Sequence, residues 1–365
     1  MIVRARLRWL RFANEVTTAH GRLAVSGIVE VEAHAQGSVG FGEGATGYES
    51  GLSALKYLRA CAPTDDVAAE LEHLEAESGH VVARAALDAA LRDLDGSLRG
   101  EPVWWLLGTA PDSPPTSWTI SLDAPAAMAK AAAAAPSGIR RLKLKLGGRD
   151  GRDGERVRAV RAVSDLPLQV DANEAWSLEE ALEQLPALER LGVELCEQPL
   201  RRGDPGGEHL KAESPLPIFL DEDCRTIEDL DDAARRGHGI NVKLSKCGGI
   251  GPALRLIEAA RAQDLGVMIG SHGESSLGIA AALQIASLCD YVDLDSNLQL
   301  ANDPWEGISF ADGAQRVSSR PGLGVTRRRL PRGVVLASSA SDFWRRWLRP
   351  AVKSAAALVR GRRAQ

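Results

Sequence analysis

Leu142-Lys-Leu-Lys145, Leu168-Gln-Val-Asp171, Val193-Glu-Leu-Cys-Glu197, Ile218-Phe-Leu-Asp221 and Ile240-Asn-Val-Lys243 are short, largely apolar runs that each end on a charged residue. Starting from Lys145, the charged ends follow at intervals of 26, 26, 24 and 22 residues. Each interval suits one strand plus one helix, so each charged residue falls at the C-terminal end of a strand. Ser117–Ser121, Val267–Ile269 and Tyr291–Leu294 read as three further strands, giving eight in all. Ala- and Leu-rich segments between them, such as Pro125–Ala135, Ser177–Leu191 and Gly251–Gln263, read as helices. Asp123 is expected to cap the first of these and Pro125 to open it. Parallel strands separated by helices predict a (β/α) barrel, whose C-terminal rim is where catalytic residues gather.

The first 110 residues have a different pattern. Val3–Trp9, Arg22–Ala33 and Gly37–Gly42 predict an antiparallel meander, and Ser50–Cys61, Asp65–Glu75 and His80–Leu98 predict helices, an α+β unit. At 365 residues the chain has room for this unit and a large barrel. Gly40-Phe-Gly42-Glu-Gly44 lacks the Gly-x-Gly-x-x-Gly spacing of a nucleotide site.

The net charge of −5 hides an asymmetry: residues 327–365 carry ten Arg and one Lys against one Asp. The rest of the chain is strongly acidic, which argues against a nucleic-acid partner. No apolar stretch approaches the length of a membrane span, and no leader pattern opens the sequence. Cys61, Cys196, Cys224, Cys247 and Cys289 are scattered, without C-x-x-C spacing, as expected of free thiols in a reducing cytoplasm.

Three acids at consecutive strand ends, Asp171, Glu197 and Asp221, form an oxygen-only set suited to a hard divalent cation such as Mg²⁺. Lys143 and Lys145, at i and i+2 of one strand, share a face, and an interior lysine must be paired or at work. Lys243 lies across the barrel from Lys145. Lys246 reads as a surface lysine that snorkels. Together these groups fit removal of a proton alpha to a carboxylate. The metal and a lysine offset the developing charge, while a lysine on either face takes or returns the proton. Bases on opposite faces lead to epimerisation.

The motifs Lys143-Leu-Lys145, Asp171-Ala-Asn173, Glu197-Gln-Pro199, Asp221-Glu-Asp223, Lys243-Leu-Ser-Lys-Cys-Gly-Gly249 and Glu274-Ser-Ser-Leu-Gly278, with Gly42-Glu-Gly44, occur in one order. In this the chain resembles the muconate-lactonizing subgroup of the enolase superfamily, from about residue 3 to Val325. The resemblance implies an α/β fold: a modified (β/α)7β TIM-type barrel with an N-terminal α+β capping domain. Residues 1–110 would form the cap, completed by about 311–325, with the barrel at 111–310 and a basic extension at 326–365. It implies Mg²⁺ held by Asp171, Glu197 and Asp221, with Lys145 and Lys243 as the acid/base pair and Lys143 beside them. Asn173 and Glu222 are expected directly behind the ligands. Asp223 departs from the usual Asp-Glu-Ser and is expected to add a charge near the metal without removing a ligand.

Members of this subgroup include cycloisomerases, o-succinylbenzoate synthases, N-acylamino-acid racemases and dipeptide epimerases. Asp293-Leu-Asp295 and Thr116-Ser-Trp-Thr119 resemble the last of these. Two aspartates on one face need a cation, and a dipeptide ammonium supplies it. The expected reaction is therefore epimerisation of the C-terminal residue of a dipeptide, such as Ala-Glu from cell-wall turnover. Asp293, Asp295 and Thr119 would contact it, and a loop at Phe12–Arg22 would offer His20. The other subgroup reactions and non-catalytic peptide binding are the alternatives. A homo-oligomer is the expected assembly. In the basic tail, Asp342–Leu348 and Ala351–Arg360 read as short helices that offer weak contact with an anionic membrane surface, or else a solvated extension or one packing on the acidic body of a neighbouring subunit.

Overall fold

The computed structural model describes residues 1–76 and 79–328, and the segment Met1–Arg328 forms one compact unit. The helices read at Asp342–Leu348 and Ala351–Arg360, like most of the basic extension, lie outside the described residues.

Three antiparallel strands come first: β1 (Ile2–Thr18), β2 (Gly21–Ala35) and β3 (Ser38–Thr46), in the order β1-β2-β3. Helices α1 (Tyr48–Ala60), α2 (Val67–Ala76) and α3 (Val81–Arg99) follow, as the apolar periodicity predicts. The glycines Gly40, Gly42 and Gly44 alternate along β3 and face α3. A Cβ on Gly40 would lie 2.2 Å from the Ala90 carbonyl oxygen, and one on Gly42 2.1 Å from that of Ala86. These glycines therefore let a helix lie directly on a strand. Glu43 points the other way and accepts from the Ser275 amide at 2.6 Å, and also from its hydroxyl, tying β3 to the barrel.

The segment expected as a loop, Phe12–Arg22, is instead a strand pairing. Val16, Thr17 and Thr18 of β1 pair with Leu23, Arg22 and Gly21 of β2, and an irregularity between Arg11 and Val16 shifts the register. Two β-branched residues after a valine favour extended backbone, which carries the hairpin to a tip at Ala19-His20.

The barrel strands are β4 (Trp118–Ile120), β5 (Leu142–Lys145), β6 (Leu168–Asp171), β7 (Val193–Glu197), β8 (Ile218–Leu220), β9 (Gly239–Val242), β10 (Gly266–Gly270) and β11 (Tyr291–Asp293). They form one parallel sheet in chain order, and a parallel bridge from Thr116 to Val292 brings its two edges together. Helices fill every interval from β4 to β11, and among the described residues no α-helix, but a 3₁₀ turn at Ser296–Gln299 and short strands, follows β11. This is the (β/α)7β arrangement. The first of these helices starts at Pro125 as expected, but its cap is Ala124; the Asp123 carboxylate accepts only from the neighbouring Ala124 amide at 2.7 Å.

Strand alternation sorts the barrel's side chains. Leu144, Val170, Cys196, Leu220, Val242 and Ile269 face the helices within the main core. Leu195, Phe219 and Met268 form a separate apolar plug inside the barrel. Two residues beyond Leu195 and Phe219, toward the C-terminal end, the inward positions are Glu197 and Asp221. The plug supplies a dry floor and the charged layer stands above it. No helix among the described residues is long and apolar enough to cross a membrane.

Candidate active site

Asp171 ends β6, Glu197 ends β7, and Asp221 directly follows β8; all three are buried. Lysines from inside the barrel reach each of them. Lys145 Nζ is 2.6 Å from Asp171 Oδ2, Lys143 Nζ is 2.7 Å from Glu197 Oε2, and Lys243 Nζ is 2.6 Å from Asp221 Oδ2. Lys145 is on β5 and Lys243 directly follows β9, four strands on in an eight-stranded barrel, so the two approach the acids from opposite walls.

Burial works against the charge on Asp171, but Lys145 and Lys143 outweigh it and hold its carboxyl at about 2. Asp221 is likewise driven well below its usual range, with Lys243 and Lys246 overcoming burial. Glu197 is pushed up by burial and by the charge of Asp171. Burial and Asp221 raise Glu222 to about 8. For Lys243, burial opposes the ammonium, but Asp221 and Glu197 prevail and hold its pKa above the usual lysine value.

Oxygen-only donors suit Mg²⁺, and so does the charge balance. Six carboxylates (Asp171, Glu197, Asp221, Glu222, Asp293, Asp295) meet four lysines (Lys143, Lys145, Lys243, Lys246) around the barrel mouth. With Glu222 protonated at neutral pH the ionised carboxylates still outnumber the lysines, and a divalent cation offsets that excess. Beside the ligands, Glu222 Oε2 and Asn173 Oδ1 are buried without a hydrogen-bond partner among the described residues. Asn173, in the left-handed region at φ 44°, donates its amide to Asp171 Oδ1 at 2.9 Å. The residues present fit the ion.

Three expectations change in detail. Lys246 is not a surface lysine. It is only 6% exposed, and its Nζ donates to the carboxylate of Asp221 and to the carbonyls of Asp221, Cys224 and Asn241. The short turn Leu244–Cys247 that follows β9 folds it back under the rim. Asp223 adds no unpaired charge near the metal acids, because buried Arg236 reaches its two oxygens at 3.1 Å each and Gln198 donates to it at 2.8 Å. Asp293 and Asp295 are not an equivalent pair. Asp293 takes Lys143 Nζ at 2.6 Å and the Ser117 hydroxyl at 2.6 Å, so the protein itself supplies its cation.

Asp295 accepts from the Thr119 amide at 2.7 Å, from the Thr119 hydroxyl at 3.3 Å and from Gln299 Nε2 at 2.6 Å. Among the described residues no cation pairs with it. Burial and the charge of Asp293 raise its carboxyl to about 6. His20 sits exposed at the hairpin tip, with Nε2 3.5 Å from Glu174 and 3.6 Å from Glu222. Ser117, Asn241, Lys246 and Gln299 went unnoticed as site residues in the sequence. Ser117 and Asn241 share the inward face of their strands with Thr119 and Lys243, which is the pattern that points to them.

A parallel barrel carrying buried acids at successive strand ends, flanked by opposed lysines, defines an acid/base enzyme of the metal-dependent kind. Residues 126–329 match the family model described as enolase C-terminal domain-like, more than half of the chain. The chain belongs to the enolase superfamily. It is similar to the L-Ala-D/L-Glu epimerase of Bacteroides thetaiotaomicron, 34% identical over 82% of this chain and 81% of that protein. A hydrophobic dipeptide epimerase of Roseobacter litoralis is 39% identical over 66% of this chain and 72% of that one. Among solved structures, the dipeptide epimerase of Enterococcus faecalis complexed with Mg and L-Leu-L-Tyr superimposes with a TM-score of 0.82 at 28% identity, covering 89% of this chain and 99% of that one.

Proposed function

We propose that this chain is a Mg²⁺-dependent dipeptide epimerase that inverts the α-carbon of the C-terminal residue. The observation that carries the reading is Asp295, a buried carboxylate at the barrel mouth with hydrogen-bond donors but no protein cation among the described residues. A dipeptide's α-ammonium is the group that completes it.

Asp171, Glu197 and Asp221 would hold the metal. Bound there, Mg²⁺ supplies a positive charge for the substrate carboxylate and offsets the charge that develops when the α-proton leaves. Thr119 and Gln299 keep Asp295 aimed, and Asp295 fixes the amino end of the dipeptide. The α-carbon then lies between Lys145 and Lys243, so one lysine removes the proton from one face and the other delivers a proton from the opposite face. Lys143, bound to Asp293 and Glu197, contributes charge rather than a proton.

The relatives' dipeptide substrates support this reading, as do the relatives' Mg complexes. Cysteines with no disulfide among the described residues fit a reducing cytoplasm. A homo-oligomer and a cap-and-barrel division at residues 110 and 310 belong to the same proposal. The test is deuterium uptake at the C-terminal α-carbon of a dipeptide library in D₂O with Mg²⁺. Uptake with inversion is expected. A library that stays protiated while N-acylamino acids or an o-succinylbenzoate precursor react would overturn the dipeptide assignment.

A further inference from the structure

We propose that Lys246 and Asn241 are positioning residues for the metal, fixing the carboxylates of Asp221 and Glu197 so that one oxygen of each is presented to the centre of the barrel. The inference rests on the metal-site reading above and extends it to side chains that touch neither substrate nor metal.

The three acids share one pattern. One oxygen of each is held by a donor that is not a proposed base: Asp171 Oδ1 by the Asn173 amide at 2.9 Å, Glu197 Oε1 by Asn241 Nδ2 at 2.9 Å, and Asp221 Oδ1 by Lys246 Nζ. The other oxygen of each faces an interior lysine: Asp171 Oδ2 meets Lys145, Glu197 Oε2 meets Lys143, and Asp221 Oδ2 meets Lys243. With one oxygen tied, a carboxylate keeps a single orientation, and its other oxygen stays turned toward the interior lysine that it meets. A freely turning carboxylate would lose rotamer entropy on binding an ion, most of all the longer glutamate.

Lys246 is unsuited to any other task. Its three N–H donors are shared among four oxygens, those of Asp221 (two), Cys224 and Asn241. A buried ammonium is costly unless fully bonded, and this one links the end of β8, the loop after it and β9. Asn241 is fully buried and owes its place to a neighbour. A Cβ on Gly270 of β10 would stand 2.5 Å from Asn241 Oδ1 and 2.9 Å from Nδ2. Six residues of chain, 241–246, thus carry both clamps and, between them, the base Lys243.

Titration calorimetry of the full chain with Mg²⁺, without substrate, reads the effect directly. Lys246→Met is expected to weaken Mg²⁺ binding at least tenfold, with Lys246→Arg recovering part of the loss. Turnover of Lys246→Met should return toward wild type at saturating Mg²⁺, a rescue that general damage to the fold would not give. A folded Lys246→Met protein with wild-type Mg²⁺ affinity overturns the inference. Should that variant fail to fold, Gly270→Ala decides. Its methyl displaces the Asn241 amide, with at least a tenfold loss of affinity expected, and unchanged affinity overturns the proposal. If the wild type binds Mg²⁺ without epimerising dipeptides, the proposed function fails and these affinities still judge the clamps. If the wild type binds no Mg²⁺, both fall.

Discussion

Lys143 Nζ lies 2.6 Å from Asp293 Oδ2, and this contact divides two aspartates that the sequence presents as a pair. Asp293 belongs to the charge network of the barrel, whereas Asp295, two residues on, is held by Thr119 and Gln299 without a counter-ion among the described residues. Their substitutions should therefore differ in kind. Asp295→Asn is expected to raise KM for a dipeptide by tenfold or more and to change little for an N-acetylated one, since only the ammonium loses its partner. Asp293→Asn is expected to lower kcat and the melting temperature together, because it removes one partner of a buried lysine. Steady-state kinetics with matched free and N-acetyl dipeptides would separate the two. Equal loss for both substrates in Asp295→Asn would count against an ammonium at this position.

The same carboxylate should give the enzyme an acid limb. Asp295 titrates at about 6, because burial and Asp293 disfavour its charge. Below that pH it is neutral and cannot pair with an ammonium, so kcat/KM should fall about tenfold per unit, and Asp295→Asn should lose this limb. The stability effect has the opposite direction. The folded value lies above the unfolded value of about 3.9, so the folded state holds a proton that the unfolded state releases. Stability of the substrate-free protein therefore declines as pH rises between about 4 and 6 and stays lower above. Asp295→Asn should be more stable than wild type at pH 8, by up to about 3 kcal/mol, with the difference vanishing near pH 4. Calorimetric melts across that range would show it.

Local pattern made the barrel readable. The apolar runs ending at Lys145, Asp171, Glu197, Asp221 and Lys243 carry the strand period and the inward face together, and in the structure Lys145 reaches Asp171 and Lys243 reaches Asp221. Partners distant in sequence were not readable in this way. Nothing near Asp293 in the chain announces Lys143, which is 150 residues earlier, and nothing near Asp223 announces Arg236. Lys246 misled because a lysine on a polar turn usually faces water, and only the closing of the barrel brings Asp221 and three carbonyls around it. The Phe12–Arg22 hairpin was hidden by its irregular register, which breaks the alternation on which strand reading depends.

The glycines of β3 provide a test of the packing that seats the N-terminal sheet. At Gly42 an added Cβ would meet the Ala86 carbonyl at 2.1 Å and the Ala90 amide at 2.5 Å, both backbone atoms of α3 that no rotamer change can move. Gly42→Ala should thus push helix from strand and destabilise the protein by roughly 1–3 kcal/mol. Gly37→Ala in the turn before β3 meets nothing within 4 Å, though its φ of +78° carries a smaller strain of its own. Thermal melts should rank Gly42→Ala below Gly37→Ala. The reverse order would mean that the close approach of α3 is not what Gly42 provides.

The opposed lysines lead to a prediction that distinguishes two bases from one. If Lys145 serves one face of the α-carbon and Lys243 the other, Lys145→Ala and Lys243→Ala should each reduce epimerisation by about 10²–10⁴-fold, the usual scale for a lost acid/base group. Exchange without inversion should survive selectively. Each variant keeps one lysine, so each should still exchange the α-proton of one epimer with D₂O while leaving the other protiated, and the favoured epimer should differ between the two. Proton NMR of the L,L and L,D dipeptides with each variant reads all four combinations. Folded variants that exchange the same epimer, or that still interconvert both, would show that the two lysines do not divide the faces between them.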